Sequence, residues 1–435
     1  MLLLYPRARV CALLAILVMA SPAVAAAADS PTIAADSPST TLSPGLQAFI
    51  TQALREHPHM QAARAELASI RAEAEAAEQP LYNPELALSY EETDVKERTL
   101  GVQQTFDWSD KREARASAAD WALVAAKARF AATREAFIAN LMTALADYEV
   151  AIEQAGLAEQ RAELMQRFAQ LAGKRQKVGD LPQADYNLAV LARTNAAMEL
   201  ARARSQQAAA QQQLRALSIG MTGAWPSLPG ELPALNFDTT LDKLLAASPV
   251  MLAARANAQS AEAIVSLRRR QRNPDPTFGL RAGKEGEHDL IGFSISIPLF
   301  VRNSYGAELA AARAEKRQAM LNVEAIKRGL RAQLVTAGRR YQNIREAWQA
   351  WEESGAASLK QQINVLERLW KAGELSTTEY LVQLKQALDT RAGALNLKNE
   401  LWTAWFDWLE VSTHAADWAG LPETAPTADN NELRN

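Results

Sequence analysis

His57 and His59 stand two apart in "HPH", the spacing of a possible transition-metal chelate. On a helix, positions i and i+2 do not share a face, but Pro58 marks a helix start, where the geometry differs. A metal site needs three or four ligands and hydrogen-bonded supporting groups. Only His288 and His414 remain to supply further imidazole, so no metal site is assigned. The chain shows no phosphate loop, no nucleophile elbow and no His-Glu-x-x-His. It is expected not to be an enzyme and to need no cofactor.

A second pair of reactive types recurs in order. "KVGDLPQADYNL" begins at Lys177 and "KAGELSTTEYLV" at Lys371. Each carries Lys-x-Gly-acid-Leu and then an acid followed by tyrosine, Asp185–Tyr186 and Glu379–Tyr380. Gly179 and Gly373 stand where a helix C-terminus calls for a left-handed residue. Ser376-x-x-Glu379 reads as a capping box, and a carboxylate in a first helical turn is stabilising through the helix dipole.

The elements around these turns also recur. "HPHMQAARAELASIRAEAEAAEQPLYNPEL" from His57 parallels "SPVMLAARANAQSAEAIVSLRRRQRNPDPTF" from Ser248, and "TLGVQQTFDW" from Thr99 parallels "LIGFSISIPLF" from Leu290. Shared landmarks in one order at an offset of 190 to 194 residues mark a tandem duplication. The repeats are assigned to 46–225 and 240–415, with a Pro/Gly-rich linker at 226–239 and a polar tail at 416–435. Each half predicts a short helix and a helix over 59–79 or 250–271, broken by Asn-Pro. A period-2 hairpin follows, with strands at 85–94 and 98–108, then 277–285 and 289–299. A very long helix (110–172; 304–371) leads to the repeated turn, and a return helix covers 182–219 or 376–413. At about 1.5 Å per residue the long helices reach roughly 95–100 Å, enough to cross a periplasm. The repeated turns are then the far tips of two helical hairpins.

The N-terminus reads as an export signal over 1–28. Arg7 and Arg9 precede the apolar run from Val10 to Ala20, and "SPAVAAAADS" offers small-x-small cleavage sites before Asp29. A flexible segment at 29–45 follows. Cys11, the only cysteine, lies inside this leader, so neither a disulfide nor a lipid-anchoring cysteine is expected. Removing Arg7 and Arg9 takes the 47 basic residues to 45 against 50 acidic ones, which does not suggest nucleic acid.

Four strands cannot close a barrel, and an open sheet in lipid leaves unsatisfied edges. Three copies would supply twelve strands and twelve helical rods, and a cyclic trimer is the simplest such assembly.

These features resemble the TolC-like outer membrane factors, the exit ducts of tripartite efflux pumps, over residues 46–413. "NPELALSYEE", "TLGVQQTFDWSDKREARA" and "GFSISIPLFVRNSYG" are similar to the heavy-metal (cobalt–zinc–cadmium) branch. The resemblance implies a mostly α fold with a transmembrane β-barrel, built as a homotrimer in the outer membrane with its helical barrel in the periplasm. It also implies outer membrane lipid around the barrel, a periplasmic adaptor at the tips and a proton-driven RND-type pump in the inner membrane. Aligned on the tip glycine, the family's gate acid falls on Glu379, with Asp185 its counterpart in the first half. A second family acid falls on Val382 instead.

Gly179, Asp180, Leu181, Gly373, Glu374 and Leu375 are adaptor-contact candidates, though Asp180 and Glu374 fit a plain solvated turn equally well. Trp108 and Phe300, at the strand ends, are candidates for an aromatic membrane girdle. Trp402, Trp405 and Trp408 read as a packed seam, and "SLRRRQR" at 266–272 as a solvated face or a lipid-headgroup contact. Cargo alternatives are drugs or other organic compounds, or type I secretion. A soluble periplasmic coiled-coil adaptor is the competing class.

Overall fold

A computed structural model of the protein describes residues 42–92, 94–220, 224–235 and 241–421. The leader at 1–28, most of the segment at 29–45 and the tail beyond 421 lie outside the described residues.

Proline and its capping partners start the first helices. Ser43 Oγ accepts the Leu46 N–H at 3.3 Å to open α1 (Pro44–Glu56), and His57 opens α2 (Pro58–Glu78). Two antiparallel strands follow, β1 (Glu85–Glu92) and β2 (Lys96–Thr105). Then come α3 (Lys111–Lys177), 67 residues or about 100 Å of helix, and its return partner α4 (Gln183–Leu217). The order repeats with α5 (Leu241–Ala247), α6 (Pro249–Arg270), β3 (Thr277–Glu285) and β4 (His288–Ser296). α7 (Gly306–Ala350), a π-helical turn (Trp351–Gly355) and α8 (Ala356–Lys371) together replace one long helix. α9 (Thr377–Ser412) returns, and α10 (Ala415–Trp418) is the last described element.

Two expectations change. The outgoing strands stop at Thr105 and Ser296, three residues short of 108 and 299. β2 ends where its partner β3 begins, in the Thr105–Thr277 pair, and Pro298 has no N–H to extend β4. The second long helix is interrupted by the π turn. The described part of the linker packs on the helices. Trp225, Leu228, Leu232 and Leu235 pack on the main core, Glu149 accepts the Leu228 N–H at 3.0 Å, and the buried Tyr341 hydroxyl donates to Pro233 O at 2.5 Å. Ala415, Ala416 and Ala419 are likewise buried in that core, and Glu135 reaches across from α3 to accept the Ala416 N–H at 3.1 Å.

The main core gathers α1, the middle of α3, α7 and α9. Trp402, Trp405 and Trp408 are all buried in it beside Phe406, and Trp405 packs 5.0 Å from Tyr341. A second, smaller core sits towards the hairpin tips. The sheet runs β1-β2-β3-β4, so the two hairpins join through β2 and β3.

Candidate functional site

Both tips close by the same hydrogen bonds. Asp180 N–H donates to Arg175 O at 2.9 Å and Gly179 N–H to Gln176 O at 3.1 Å. Glu374 N–H donates to Leu369 O at 3.0 Å and Gly373 N–H to Trp370 O at 3.1 Å. This is the Schellman pattern, which needs a left-handed residue, and φ is +86° at Gly179 and +79° at Gly373. Asp180 and Glu374 are exposed, while Leu181 and Leu375 turn half inward onto the tip core.

Asp185 and Glu379 each occupy the third position of a return helix. Glu379 is held in the predicted capping box. Its Oε2 accepts from Ser376 Oγ at 2.6 Å and Ser376 N at 3.1 Å, and Glu379 N–H donates to Ser376 Oγ at 3.2 Å. These bonds from Ser376 hold its carboxyl below the usual carboxylate range. Asp185 follows Pro182 and has no such cap. No hydrogen bond joins the two acids among the described residues.

The tyrosines after these acids explain the repeated pair. Tyr380 is buried and stacked on Trp370 at 4.8 Å and 15°, with Phe168 of α3 at 5.8 Å. Tyr186 lies across Gly173, where an added Cβ would stand 3.2 Å from its ring. Each tyrosine thus pins a return helix to its neighbours, and Phe168 and Trp370 bind the tips of both repeats into one cluster. That cluster escaped the sequence reading, although the repeated acid–Tyr pair was its signal. Above it an apolar cavity of about 340 Å³ opens between α3, α4 and α9, lined by Leu188, Leu191, Leu381 and Val382 with Arg161 and Lys385 at its edge.

The histidines do not converge. His57 Nδ1 accepts the His59 N–H at 3.2 Å, capping α2, and its ring packs 4.8 Å from Phe137. His288 pairs with Glu285 in the sheet, and His414 precedes α10.

The sheet sorts its residues by face. One face carries Leu86, Leu88 and Tyr90 on β1, opposite Val102, Leu100 and Arg98 on β2. Phe278, Leu280 and Ala282 on β3 continue it, opposite Ile295, Phe293 and Ile291 on β4. Leu88 is 79% and Ile291 82% exposed, so this face is apolar and uncovered. The other face is polar, with glycine where crowding is greatest: a Cβ on Gly283 would meet Arg98 O at 2.0 Å. One row of that face runs Glu91, Glu97, Glu285, His288, with one residue from each strand directly opposite the next. Like charges set opposite one another destabilise a sheet, so packing alone does not account for this row.

Trp108 lies past the strand end, 62% exposed, with its indole N–H donating to Pro274 O at 2.8 Å. Phe300 is half-buried against Tyr305 at 5.0 Å, and Leu299 and Val301 are the exposed residues there. Among the described residues no helix is long and apolar enough to cross a membrane.

A sequence model described as outer membrane efflux protein matches residues 49–218 and 240–407. The cobalt-zinc-cadmium resistance protein CzcC of Cupriavidus metallidurans is 31% identical over 245 residues. That match spans 54% of this chain and 59% of the relative's length. The fold is that of the Campylobacter jejuni CmeC outer membrane channel, with a TM-score of 0.73 at 14% identity over 89% of this chain and 88% of that one. It is equally that of the open Neisseria gonorrhoeae MtrE outer membrane channel, with 0.71 at 17% over 85% and 89%. With both matched segments covering most of both repeats, and with an apolar-faced sheet set on paired helical hairpins, the chain belongs to the outer membrane efflux protein family.

Proposed function

We propose that three copies of this chain close a twelve-stranded barrel in the outer membrane above a twelve-rod helical barrel, forming the passive exit duct of a tripartite efflux system for heavy-metal cations. The observation that carries the reading is the sheet. Four strands present one uncovered apolar face, and in a single copy β1 and β4 each have an unpaired edge. Lipid tolerates neither an open edge nor a polar outer face, so the sheet must close on other copies with its polar face inward.

Cation cargo is supported by two further points. The Glu91–Glu97–Glu285–His288 row would line the barrel interior, where rings of carboxylates favour cations. The 31% identity is to a cobalt-zinc-cadmium resistance protein. In this reading Glu379 and Asp185 edge the closed entrance at the tips. Gly179, Asp180, Leu181, Gly373, Glu374 and Leu375 form the surface offered to a periplasmic adaptor, which couples the duct to a proton-driven pump. Trp108 and the exposed Leu299 and Val301 sit at the membrane boundary.

The test is deletion of the gene in its host, followed by growth on zinc, cobalt, cadmium, nickel and copper beside dyes and detergents. Selective metal sensitivity, restored by the wild-type gene, is expected. Sensitivity to organic compounds alone would keep the duct and overturn the cargo.

A further inference from the structure

The two ends of the sheet differ in charge, acidic at the far turns and rich in arginine among mixed charges at the base. At the far turns, Glu91, Glu92, Asp94 and Glu97 face only Lys96 and Arg98, and Glu285, Glu287 and Asp289 face Lys284. At the base, where strands meet helices, arginine dominates. Some of these basic groups are committed inside the protein. Lys111 makes a buried ion pair with Asp275 at 2.8 Å. Arg115 covers the carbonyls of Ala77 at 3.0 Å and Gln79 at 2.6 Å, where α2 ends. Arg270 donates to Asp110 O at 2.6 Å and pairs with Glu113 at 3.2 Å.

Arg268, Arg269 and Arg302 are not committed. All three are exposed, and none makes an ion pair among the described residues; Arg268 bonds only the Gln271 amide, at 2.9 Å. Arg272 Nε donates to Ser304 O at 3.1 Å, tying the end of α6 to the segment that holds Arg302. That bond sets Arg268 and Arg269, about one helical turn before Arg272, near the level of Arg302, two residues before Ser304. The carboxylates of Asp110 and Glu113 face the same level and are the internal competitors for them.

Directly beside this level the apolar surface ends. Ile291, Phe293, Ile295, Ile297, Leu299 and Val301 are all exposed, Val301 at 85%, and Arg302 is the next residue. β4 rises about 3.3 Å per residue only as far as Ser296, roughly 17 Å from Ile291, and the exposed Ile297, Leu299 and Val301 carry the apolar side chains on past its end to Arg302. An apolar stripe followed at once by unpaired guanidinium fits acyl chains above and headgroup phosphate below.

We infer that Arg268, Arg269 and Arg302 form a binding site for the phosphate headgroups of anionic phospholipid at the helical end of the barrel, fixing the depth of the sheet in the membrane. The proposal rests on the barrel reading above. Guanidinium matches phosphate in a planar two-point fork, and each basic residue near an anionic surface strengthens binding by about fivefold.

The full-length protein is reconstituted into vesicles of phosphatidylcholine alone or mixed with phosphatidylglycerol. It is then extracted in mild detergent, and the lipid that travels with it is measured by mass spectrometry. Wild type is expected to retain phosphatidylglycerol over phosphatidylcholine, and R268Q/R269Q/R302Q to lose that preference by a factor of about five per arginine. The corresponding triple lysine variant keeps part of it. Should the glutamine variant not fold, a salt titration of wild type decides, because the preference must fall as salt screens the headgroups. Equal retention of both lipids, a preference that salt leaves intact, or an unchanged preference in the glutamine variant would overturn the site. Failure to insert into either vesicle would overturn the barrel reading and the site with it.

Discussion

Glu135 shows how a single buried carboxylate holds one end of this chain. It sits in α3, almost fully covered, and accepts the Ala416 N–H at the start of α10. Burial pushes its pKa up, although the amides of Ala416 and Ala415 pull the other way. The sign of the pH dependence follows. Once the pH passes the ordinary glutamate range, the unfolded chain gives up a proton that the folded chain keeps, so stability falls through that window and levels off above the raised value. Glu135→Gln keeps a carbonyl oxygen for Ala416 and never ionises. Its melting temperature is expected to match wild type in acid and to exceed it at neutral pH. Glu135→Ala leaves a buried N–H without an acceptor and is expected to cost about 1–3 kcal/mol at any pH. Thermal unfolding of the detergent-solubilised protein across pH checks both; a glutamine variant weaker than wild type at neutral pH would contradict the sign.

How much could be read from residues depended on whether the signal was local. The capping box at Ser376–Glu379 and the two tip glycines were legible, because each involves residues within a single turn. The His57–His59 pair was legible as a helix start but gave no hint that the His57 ring packs on Phe137, 80 positions away. The Phe168–Trp370–Tyr380 cluster joins the two repeats across about 200 residues, and periodicity within one element cannot reveal it.

Among the elements, the interrupted α7–α8 rod was the least visible. "WEESG" at 351–355 keeps a helical composition, and one residue more or less per turn changes no propensity. The π turn falls between the main core, which reaches Trp348, and the tip core, which begins on this rod near Leu366. Its five residues are exposed or half-buried. Gly355 is fixed there by space: an added Cβ would stand 2.5 Å from Cε3 of Trp351. Gly329 in α7 differs, since nothing lies within 4 Å of its added Cβ. Gly355→Ala is therefore expected to destabilise by about 1–3 kcal/mol through overpacking. Gly329→Ala is expected to stabilise by about 0.5–1 kcal/mol by lowering the entropy of the unfolded chain. Melting curves of the two variants should move in opposite directions. A shared direction would show that the ring of Trp351 yields at little cost and that space does not hold Gly355 in place.

At the scale of the whole molecule, the sheet decides what the protein becomes. Alternation along the strands was legible, but the pairing of β2 with β3 was not, since neither hairpin encodes its partner. Closure of the remaining edges, β1 and β4, can be tested with introduced cysteines, because the described residues hold none of their own. Within one copy the strands alternate in direction, so β1 of one copy meets β4 of the next antiparallel. Cysteines are scanned in pairs across those edges on the polar face, each of Glu85, Ala87, Ser89 and Glu91 with each of His288, Leu290, Gly292 and Ser294, and a closed barrel is expected to bridge in at least one register under mild oxidation. On a non-reducing gel a closed three-copy barrel gives a ladder that stops at three, whichever register is found. A ladder that stops at two would mean a different closure, and one that continues upward would mean that the edges add copies without closing. If no pair in the scan cross-links in isolated outer membranes, the edges do not meet, and the twelve-stranded duct is wrong whatever the cargo assays report.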